Sequence, residues 1–542
     1  MSKRIISVIT LCCILLTVFP VDVCAIETTS TVSISADTYY DKTLAGMLGH
    51  FAGFLSGYEF VWDSNGNPTN PLPDSYFSIL GGPYSGNFTY AGDPNYPGYD
   101  RFWENGVIAS DDDFHVDIFN QHILAEHGPN VSYYDIKEEW KEHYVHDWGA
   151  GFMAAYLTRH ADLLPPFTGM REYGNAFYWC TEAYIENDTL GMATPGMPNK
   201  AIALAEKFGS VTGDFDGLIW AKFGAALYAL AYTETTAYNV VTKASECLPD
   251  GSWPKVIYEK CLLLYQTEAN WRSAVTTVAA MKRNVDESDN VQTLTDINNA
   301  IIILSLLYGN NDYENTLKIS SLAGYDGDCN AATAAGIMGV IKGTAGTPNV
   351  IIEGLYPDGE CKYINDTQTY FDPYIKLNYP REQTIDSIID LFQSNAEAMI
   401  IAEGGTVENG VYTIATSPIV PETRINVADY DFEDAAHSVW TGTGSISYLS
   451  SEPHSGQTCA QVNSGASISQ EVYGLVEEKD YRLTVYVKTS ESGTANLSIV
   501  TGSSTYSTVV RDEANYWIRR DLEFTSASSS ATIILQADSS TN

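Results

Sequence analysis

Apolar residues recur every three or four positions along most of residues 39–402, which is the spacing of amphipathic helices. The segment 42–57 shows the pattern clearly, because four large apolar residues share one face and Asp41 before it is a candidate N-cap. The same periodicity predicts further helices over 114–126, 134–144, 200–208, 218–232, 273–281, 294–307, 331–342 and 385–394. Most of the chain is therefore expected to be a helical domain.

A second stripe on helix 42–57 consists of glycines, at Gly46, Gly49, Gly53 and Gly57. Glycine lowers the stability of a helix by about 1 kcal/mol relative to alanine, so four of them in one helix need a compensating role. Small residues at three- and four-residue spacing allow another backbone to approach closely. The stripe therefore predicts a close helix contact or a crowded site.

The pattern changes near residue 425, where period-two alternation replaces the helical spacing. Residues 418–426 are interpreted as a linker. Beyond it, strands are predicted over 467–472, 481–488, 495–500, 518–524 and 531–536. Turn residues separate these strands at intervals typical of an all-β sandwich. We expect a multidomain chain with a helical domain over 39–417 and a sandwich over 427–542, the latter short of a closing strand.

The first 25 residues have the pattern of a secretion signal. Basic residues precede an apolar run over 5–19, and Val23 and Ala25 fit the small-residue rule for cleavage. The run is too short for a membrane span, and no later segment offers about 20 uncharged apolar residues. We therefore expect a secreted protein with a mature chain that starts near residue 26, and a short N-terminal linker over 26–38.

The net charge of the chain excludes some classes of function. The 542 residues include 68 acidic and 29 basic ones, for a net charge of −39. A nucleic-acid binder neutralises phosphates with lysine and arginine, so this balance excludes an ordinary one, and it disfavours an anionic membrane surface. Carboxylates are hard oxygen ligands, so cation sites remain possible. No Cys-x-x-Cys motif occurs among the nine cysteines; Cys247 and Cys261 are a possible disulfide, and buried thiols are the alternative.

The first acidic run, Ser110-Asp111-Asp112-Asp113, stands immediately before a predicted helix. Adjacent carboxylates repel one another, and the helix macrodipole offsets only about 0.3–1 kcal/mol for each exposed charge. A bound divalent cation would compensate more, and Ser110 would add a hydroxyl ligand. The sequence leaves both interpretations open.

The second acidic run, Asp326-Gly327-Asp328-Cys329-Asn330, precedes a helix made almost wholly of small residues. The spacing of its acidic residues resembles the start of a calcium loop, but Ala331 and Ile337 occupy the places that need glycine and glutamate. This excludes an EF-hand. Two acidic helix starts that converge on one metal remain the sharper hypothesis.

Together these motifs resemble, in order, the three signature blocks of the ADP-ribosylglycohydrolase family: the glycine-rich helix 41–59 and the two acidic runs. The segments 191–198 and 211–217 also look like those of a bacterial branch of that family. The resemblance spans about residues 39–402. It implies an all-α orthogonal helical bundle around a site for magnesium, or for manganese or calcium, with one or two ions.

The resemblance also implies site residues. The implied metal ligands are Ser110, Asp111, Asp112, Asp326, Asp328 and Cys329. Glu59, Asp112 and Asp328 are the implied catalytic acids or bases, with their individual roles open. Two departures stand out: His50 replaces an aspartate that is common in the first helix, and Cys329 replaces a hydroxyl ligand. A thiol is a poor ligand for a hard cation.

The C-terminal region resembles the jelly-roll carbohydrate-binding modules of secreted glycan enzymes. Trp440 and Trp517, with Tyr473, are candidates for stacking on sugars, and packing inside the sandwich is the alternative. The sequence thus favours a secreted, metal-dependent glycosyl hydrolase that acts on a glycan or glycoside. An ADP-ribosyl hydrolase and a catalytically weak glycan-binding protein are the alternatives.

Overall fold

The computed structural model describes residues 8–18, 30–61, 103–104, 107–109, 112–144, 149–250, 252–281, 293–356, 359, 362–364, 382–421, 424–425, 427–430, 432–451, 458–489, 494–511 and 518–538. These residues form two units. One is helical and lies within residues 27–420. The other is a β unit within residues 421–542, and it includes the N-terminal strand Val8–Val18.

The helical unit contains the described α-helices. They are α1 (Ala36–Gly57), α2 (Asp112–His127), α3 (Tyr133–His143), α4 (Gly149–His160), α5 (Glu182–Ile185), α6 (Pro198–Gly209), α7 (Asp216–Ala231), α8 (Ala237–Ala244), α9 (Trp253–Thr267), α10 (Trp271–Ala279), α11 (Thr295–Tyr308), α12 (Tyr313–Leu322), α13 (Gly327–Lys342), α14 (Asn349–Leu355) and α15 (Ile385–Ala402). All nine helices predicted from periodicity are confirmed, most of them longer by a few residues at one or both ends.

The start of α1 differs from the prediction. Ser35 is the N-cap, and its hydroxyl accepts a hydrogen bond from the Thr38 backbone N–H at 3.0 Å. Asp41, the predicted cap, lies one turn inside the helix, where its carboxylate instead accepts hydrogen bonds from Thr344. The residues just before Ser35 alternate between small polar and apolar side chains and form an extended strand. The helix can therefore begin only after Ser35.

The strands, in chain order, are β1 (Val8–Val18), β2 (Ser30–Ser35), β3 (Trp103–Glu104), β4 (Val107–Ala109), β5 (Lys362–Ile364), β6 (Glu382–Thr384), β7 (Thr406–Glu408), β8 (Val411–Thr416), β9 (Arg424–Ile425), β10 (Thr441–Thr443), β11 (Ile446–Leu449), β12 (Cys459–Asn463), β13 (Ser467–Tyr473), β14 (Asp480–Thr489), β15 (Thr494–Thr501), β16 (Ser504–Arg511), β17 (Ile518–Thr525) and β18 (Ser530–Ala537). The five strands predicted beyond residue 425 are all present.

Small sheets correct the prediction of an all-α domain over residues 39–417. A three-stranded antiparallel sheet has the order β2-β8-β7, and a four-stranded sheet has the order β3-β4-β5-β6, with β4 and β5 parallel. The strand β2 lies in the stretch 26–38 that was predicted to be a linker. Its residues pair with β8 from Ser30–Thr416 to Ser35–Val411, so this stretch forms the edge of a sheet.

Two sheets make up the β unit. One has the order β11-β12-β1-β14-β17, with β9 beside β1, and the other has the order β10-β13-β18-β15-β16. Alternate side chains from both sheets form one core, which includes Leu483, Val485, Leu497 and Ile533. The domain boundary near residue 425 agrees with the division into units. A jelly-roll topology remains a prediction.

Strand β1 falls inside the predicted secretion signal. It lies between β12 and β14 and pairs antiparallel with both, for example through Leu11–Ala460 and Leu16–Leu483. An apolar run of this length is compatible with a strand as well as with a signal peptide. Among the described residues, no helix is long and apolar enough to cross a membrane.

Five cysteines are buried as free thiols: Cys180, Cys247, Cys261, Cys329 and Cys459. Cys261 keeps its thiol, which donates a weak hydrogen bond to the Ala300 carbonyl at 3.9 Å, so the possible Cys247–Cys261 disulfide is not formed. Burial raises the pKa of Cys261 beyond its ordinary range. This thiol is therefore an inert core group.

Candidate metal centre

The glycine stripe of α1 lies against the backbone of α13. A Cβ atom on Gly53 would lie 2.1 Å from the Ala331 carbonyl oxygen, and one on Gly57 would lie 2.0 Å from the Gly327 carbonyl oxygen. Since real Cβ atoms do not approach carbonyls so closely, only glycine fits at these positions. The predicted close helix contact is confirmed, and it holds the first turn of α13 against the end of α1.

A strained turn leads into α13. Gly324 and Tyr325 both have left-handed backbone angles, with φ of +71° and +60°, and the Tyr325 side chain is buried. A left-handed conformation costs a non-glycine residue about 1 kcal/mol or more. Burial of the tyrosine ring offsets this cost. The turn thereby fixes the orientation of Asp326 at the start of α13.

Asn298 on α11 anchors the same turn. Its side-chain oxygen accepts hydrogen bonds from the Asp326 backbone N–H at 3.2 Å and from the Asn330 side-chain amide at 2.7 Å. The Tyr184 hydroxyl then donates to the oxygen of Asn330 at 3.1 Å. Sequence reasoning missed Asn298 and Tyr184, because they reach α13 only through tertiary packing.

Asp326, Asp328 and Cys329 form a cluster at this buried helix start. One potential ligand atom from each lies within 4.8 Å of the others. Asp326 and Cys329 are 7 % and 4 % exposed, and Asp328 is half-buried. Although Asp326 occupies the N-cap position, its side chain makes no capping hydrogen bond to the helix. The structure therefore brings together three of the predicted metal ligands.

The donor set fits a divalent cation. Two carboxylates side by side, one buried and one half-buried, are costly to ionise, and the helix dipole offsets only part of that cost. A divalent ion would neutralise both charges, with carboxylate oxygens as the hard ligands. The Cys329 sulfur is a poor ligand for Mg²⁺ and suits a softer ion such as Zn²⁺ better.

The other acidic run is described only in part. Strand β4 ends at Ala109 and α2 begins at Asp112, so the predicted acidic helix start is confirmed. Ser110, Asp111 and the side chains of Asp112 and Glu59 lie outside the described residues, although the backbone of Glu59 forms a 3-10 turn directly after α1. Convergence of the two acidic runs on one metal therefore stays a prediction.

His50 is a buried imidazole beside the start of α2. Its ring lies 5.4 Å from the ring of Phe114, and Phe51 also packs on Phe114 at 4.6 Å. Neither ring nitrogen of His50 has a hydrogen-bond partner among the described residues, and burial lowers its pKa to about 3. His50 is therefore a neutral nitrogen donor at neutral pH, in the place where the resemblance implies an aspartate.

The neighbouring residues Trp179 and Cys180 are buried core groups. Trp179 is buried and its indole N–H donates to the Ala176 carbonyl at 3.1 Å, which makes it a core residue and not an open stacking platform. Burial, together with the charges of Glu182 and Asp326, holds the pKa of Cys180 well above its usual value. A protonated thiol is a poor nucleophile, so Cys180 is excluded as one.

Among the predicted sugar-stacking residues of the β unit, Trp440 needs a correction. Trp440 is 7 % exposed, packs on Phe432 with ring centroids 5.2 Å apart, and donates its indole N–H to the Asp429 carbonyl at 2.9 Å. Too little of the ring is exposed for it to stack on a sugar. Trp517 lies outside the described residues, and Tyr473 is 65 % exposed.

The fold and the site thus define a helical domain built around a glycine-lined helix pair with an acidic helix start. The family model for ADP-ribosylglycohydrolase matches residues 35–374, which is more than half of the chain. The chain belongs to the ADP-ribosylglycohydrolase family, a family of hydrolases that are generally metal-dependent.

A solved structure titled "ADP-ribosylglycohydrolase-related protein complex" matches at 14 % identity with a TM-score of 0.36. The match covers 67 % of this chain and 99 % of that chain. No curated protein matches this sequence.

Proposed function

We propose that this chain is a secreted, metal-dependent glycosyl hydrolase that cleaves a glycosidic bond in a glycan or glycoside. The observation that carries the proposal is the cluster of Asp326, Asp328 and Cys329 at the buried start of α13, within the family match. Its two carboxylates and one thiol provide a cation site, and the half-buried Asp328 remains within reach of solvent.

The chemistry agrees with this arrangement. Glycoside hydrolysis passes through an oxocarbenium-like transition state and needs an acid or base beside the anomeric carbon. When bound, a divalent ion would orient sugar hydroxyls and lower the pKa of a bound water. Asp326 and Cys329 would hold the ion. Asp328, with Glu59 and Asp112, would supply the carboxylates that exchange protons with the leaving group or the water.

The main alternative to this proposal differs in the class of substrate. The family name suggests ADP-ribosyl groups, whereas the secretion signal and the appended β unit favour an extracellular glycan. The substrate is therefore proposed to be a glycan or glycoside, bound in part through the β unit. Release of ADP-ribose and release of reducing sugar separate the two activities in one assay series.

The test compares the purified chain with Asp328→Asn on a panel of glycans and on ADP-ribosylated protein. Because Asn keeps the size of the side chain, we expect hydrolysis to fall by at least about 100-fold while the fold persists. Asp390→Asn, at an exposed position of α15, is the matched control and should retain full activity. A chelator should abolish activity and a divalent ion should restore it.

Release of ADP-ribose alone would establish the alternative activity. Glycan binding without any hydrolysis would favour the catalytically weak binding protein. Hydrolysis that is indifferent to both the chelator and Asp328→Asn would refute the metal-dependent mechanism at this site.

Secretion has its own test. The N-terminus of the exported protein, determined by mass spectrometry, should lie near residue 26 if residues 1–25 are removed. Retention of the segment that contains β1 would instead mean that it serves as a strand of the β unit.

A further inference from the structure

A second group of metal-ligating side chains lies on α2 and α3, apart from the acidic cluster. The Nε2 atoms of His122 and His143 each lie 3.3 Å from Oε2 of Glu139. The three potential ligand atoms lie within 4.8 Å of one another. The side chains are only 12–14 % exposed, so they are shielded from bulk water but accessible to a small ion.

The distances match metal ligands better than hydrogen bonds. In a tetrahedral zinc site with bonds of about 2.0–2.1 Å, neighbouring ligand atoms lie about 3.3 Å apart. An N–H···O hydrogen bond usually spans about 2.7–3.2 Å, and Glu139 makes one such bond, in which its Oε1 lies 2.8 Å from Nε2 of His127. The other oxygen, Oε2, is buried and accepts no hydrogen bond from any described residue, although both imidazoles face it.

The two helices hold these donors in place. Glu139 and His143 are one turn apart on α3, while His122 comes from α2. A capping box between Ser132 and Asp135 fixes the start of α3. His127 orients the carboxylate from the other side, as residues behind a metal ligand commonly do.

The aromatic side chain of Phe119 packs against both histidines of this group. The Phe119 ring lies 6.4 Å from the ring of His122, nearly parallel to it, and 6.2 Å from the ring of His143, nearly perpendicular.

We propose that His122, Glu139 and His143 bind a zinc-type first-row transition ion, with a water molecule as fourth ligand, and that this ion braces α2 against α3. Imidazole nitrogen suits zinc, cobalt or nickel and not magnesium, so the site is chemically distinct from the acidic cluster. Helix α2 begins at Asp112, a predicted ligand of that cluster, about 15 Å from His122 along the helix. The brace would therefore steady the helix that carries Asp112.

Cobalt provides a direct test, because Co²⁺ replaces Zn²⁺ and absorbs visible light strongly when it has four or five ligands. The full chain is freed of metal with a chelator and titrated with Co²⁺ in excess Mg²⁺. We expect about one equivalent of Co²⁺ to give the visible band and Zn²⁺ to abolish it. Repeating the titration in Cys329→Ser separates this site from the acidic cluster, since only the thiolate would add a sulfur-to-cobalt band.

The variants make the assignment specific. In the Cys329→Ser chain, His122→Ala and His143→Ala should each lose the band, while His160→Ala, at an exposed histidine of α4, should keep it. His127→Ala tests a positioning residue and should weaken binding by about 10–100-fold. Glu139→Gln keeps the shape of the side chain and should also weaken binding. It shows whether a loss in the alanine variants reflects the ligand or the fold.

Stability gives a second readout of the brace. A ligand that binds only the folded state raises Tm, so Zn²⁺ should raise the Tm of the wild type but not that of His143→Ala. The proposal would be overturned if His122→Ala and His143→Ala gave a cobalt band as strong as that of the chain with both histidines. It would also be overturned if the wild type gave no band. In either case the three side chains form only an imidazole–carboxylate network.

Discussion

Cys329 is the residue at which the acidic cluster departs most from hard-cation chemistry. Its sulfur lies within 4.8 Å of potential oxygen ligands from Asp326 and Asp328 and is almost fully buried. A thiolate binds Mn²⁺, Zn²⁺ and Cd²⁺ better than it binds Mg²⁺. We therefore expect this residue to influence which ion the cluster prefers.

Cys329→Ser should shift that preference toward Mg²⁺. A hydroxyl is a hard ligand of similar size, so we expect Mg²⁺ affinity to rise and Cd²⁺ affinity to fall by at least about tenfold. Calorimetric titration of both ions against wild type and variant measures the change. Cys261→Ser, at a thiol far along the chain in α9, is the control for a general effect of removing sulfur. Equal shifts in both variants would show that Cys329 is not a ligand.

Asp188 is a second residue of interest, because its burial should affect how the stability of the protein depends on pH. It is fully buried, and its Oδ2 accepts a hydrogen bond from the Thr333 hydroxyl at 2.6 Å. Burial raises its pKa to about 7. The nearby ionisable groups are Asp117, also buried, and Tyr228, whose own pKa is raised chiefly by burial and further by both carboxylates.

Asp188→Asn should therefore change how stability depends on pH. The folded protein keeps the Asp188 proton up to about pH 7, whereas the unfolded chain loses it near pH 4. Stability consequently falls as pH rises between these values and levels off above them. Relative to wild type, the unfolding free energy of the variant should rise by up to about 3 kcal/mol between about pH 5 and pH 8, as measured by urea unfolding. Asp390→Asn is the exposed control, and a gain independent of pH would contradict the buried-acid interpretation.

At the scale of elements, the helix pair α1–α13 sets the geometry of the site. Gly53→Ala would place a methyl group 2.1 Å from the Ala331 carbonyl, which belongs to the backbone and cannot rotate away. We expect the unfolding free energy to fall by at least about 2 kcal/mol, with weaker metal binding at the start of α13.

Gly354→Ala is the matched control for this prediction. Gly354 lies within α14, and a Cβ atom there would meet no other atom within 4 Å. Because alanine favours helix, this change should stabilise the protein by about 0.5–1 kcal/mol. If Gly53→Ala were equally harmless in urea unfolding, the helices could not be in backbone contact.

Elements with a clean local pattern could be predicted from the sequence, and elements defined by tertiary contacts could not. The glycine stripe predicted a close helix contact of α1 without naming its partner, and the helix predicted over 331–342 begins one turn earlier, within the acidic run. Helix α9 was missed because Pro254 looks like a helix breaker, although proline fits the first turn behind a Ser252 cap. Strand β16 was missed because its apolar residues do not alternate cleanly.

The two candidate sites show the same limit. The acidic cluster could be predicted because its ligands are adjacent in sequence. In the second group, Glu139 and His143 are four residues apart in the predicted helix 134–144, whereas His122 belongs to the predicted helix 114–126. His122 and Glu139 join His143 only because α2 and α3 fold back on each other, and no spacing in the sequence reveals that pairing.

At the scale of the whole molecule, charge is the dominant feature. Even if every one of the 29 basic residues paired with a carboxylate, 39 of the 68 acidic residues would have no basic counterpart. Repulsion among these charges destabilises the folded state, because folding brings them closer together. Salt weakens attractive pairs as well, but here repulsive pairs outnumber them, so screening should be stabilising overall.

Raising NaCl from about 0.01 to about 0.15 M shortens the screening length from about 30 to about 8 Å. At pH 7, with a chelator present to exclude metal binding, we expect the Tm to rise by several degrees over this range. Near the isoelectric point of about 4.3 the net charge vanishes, so the same addition of salt should leave Tm almost unchanged. An equal rise at both pH values would point to a general effect of salt on folding. A rise confined to neutral pH would show that carboxylate repulsion limits the stability of this chain.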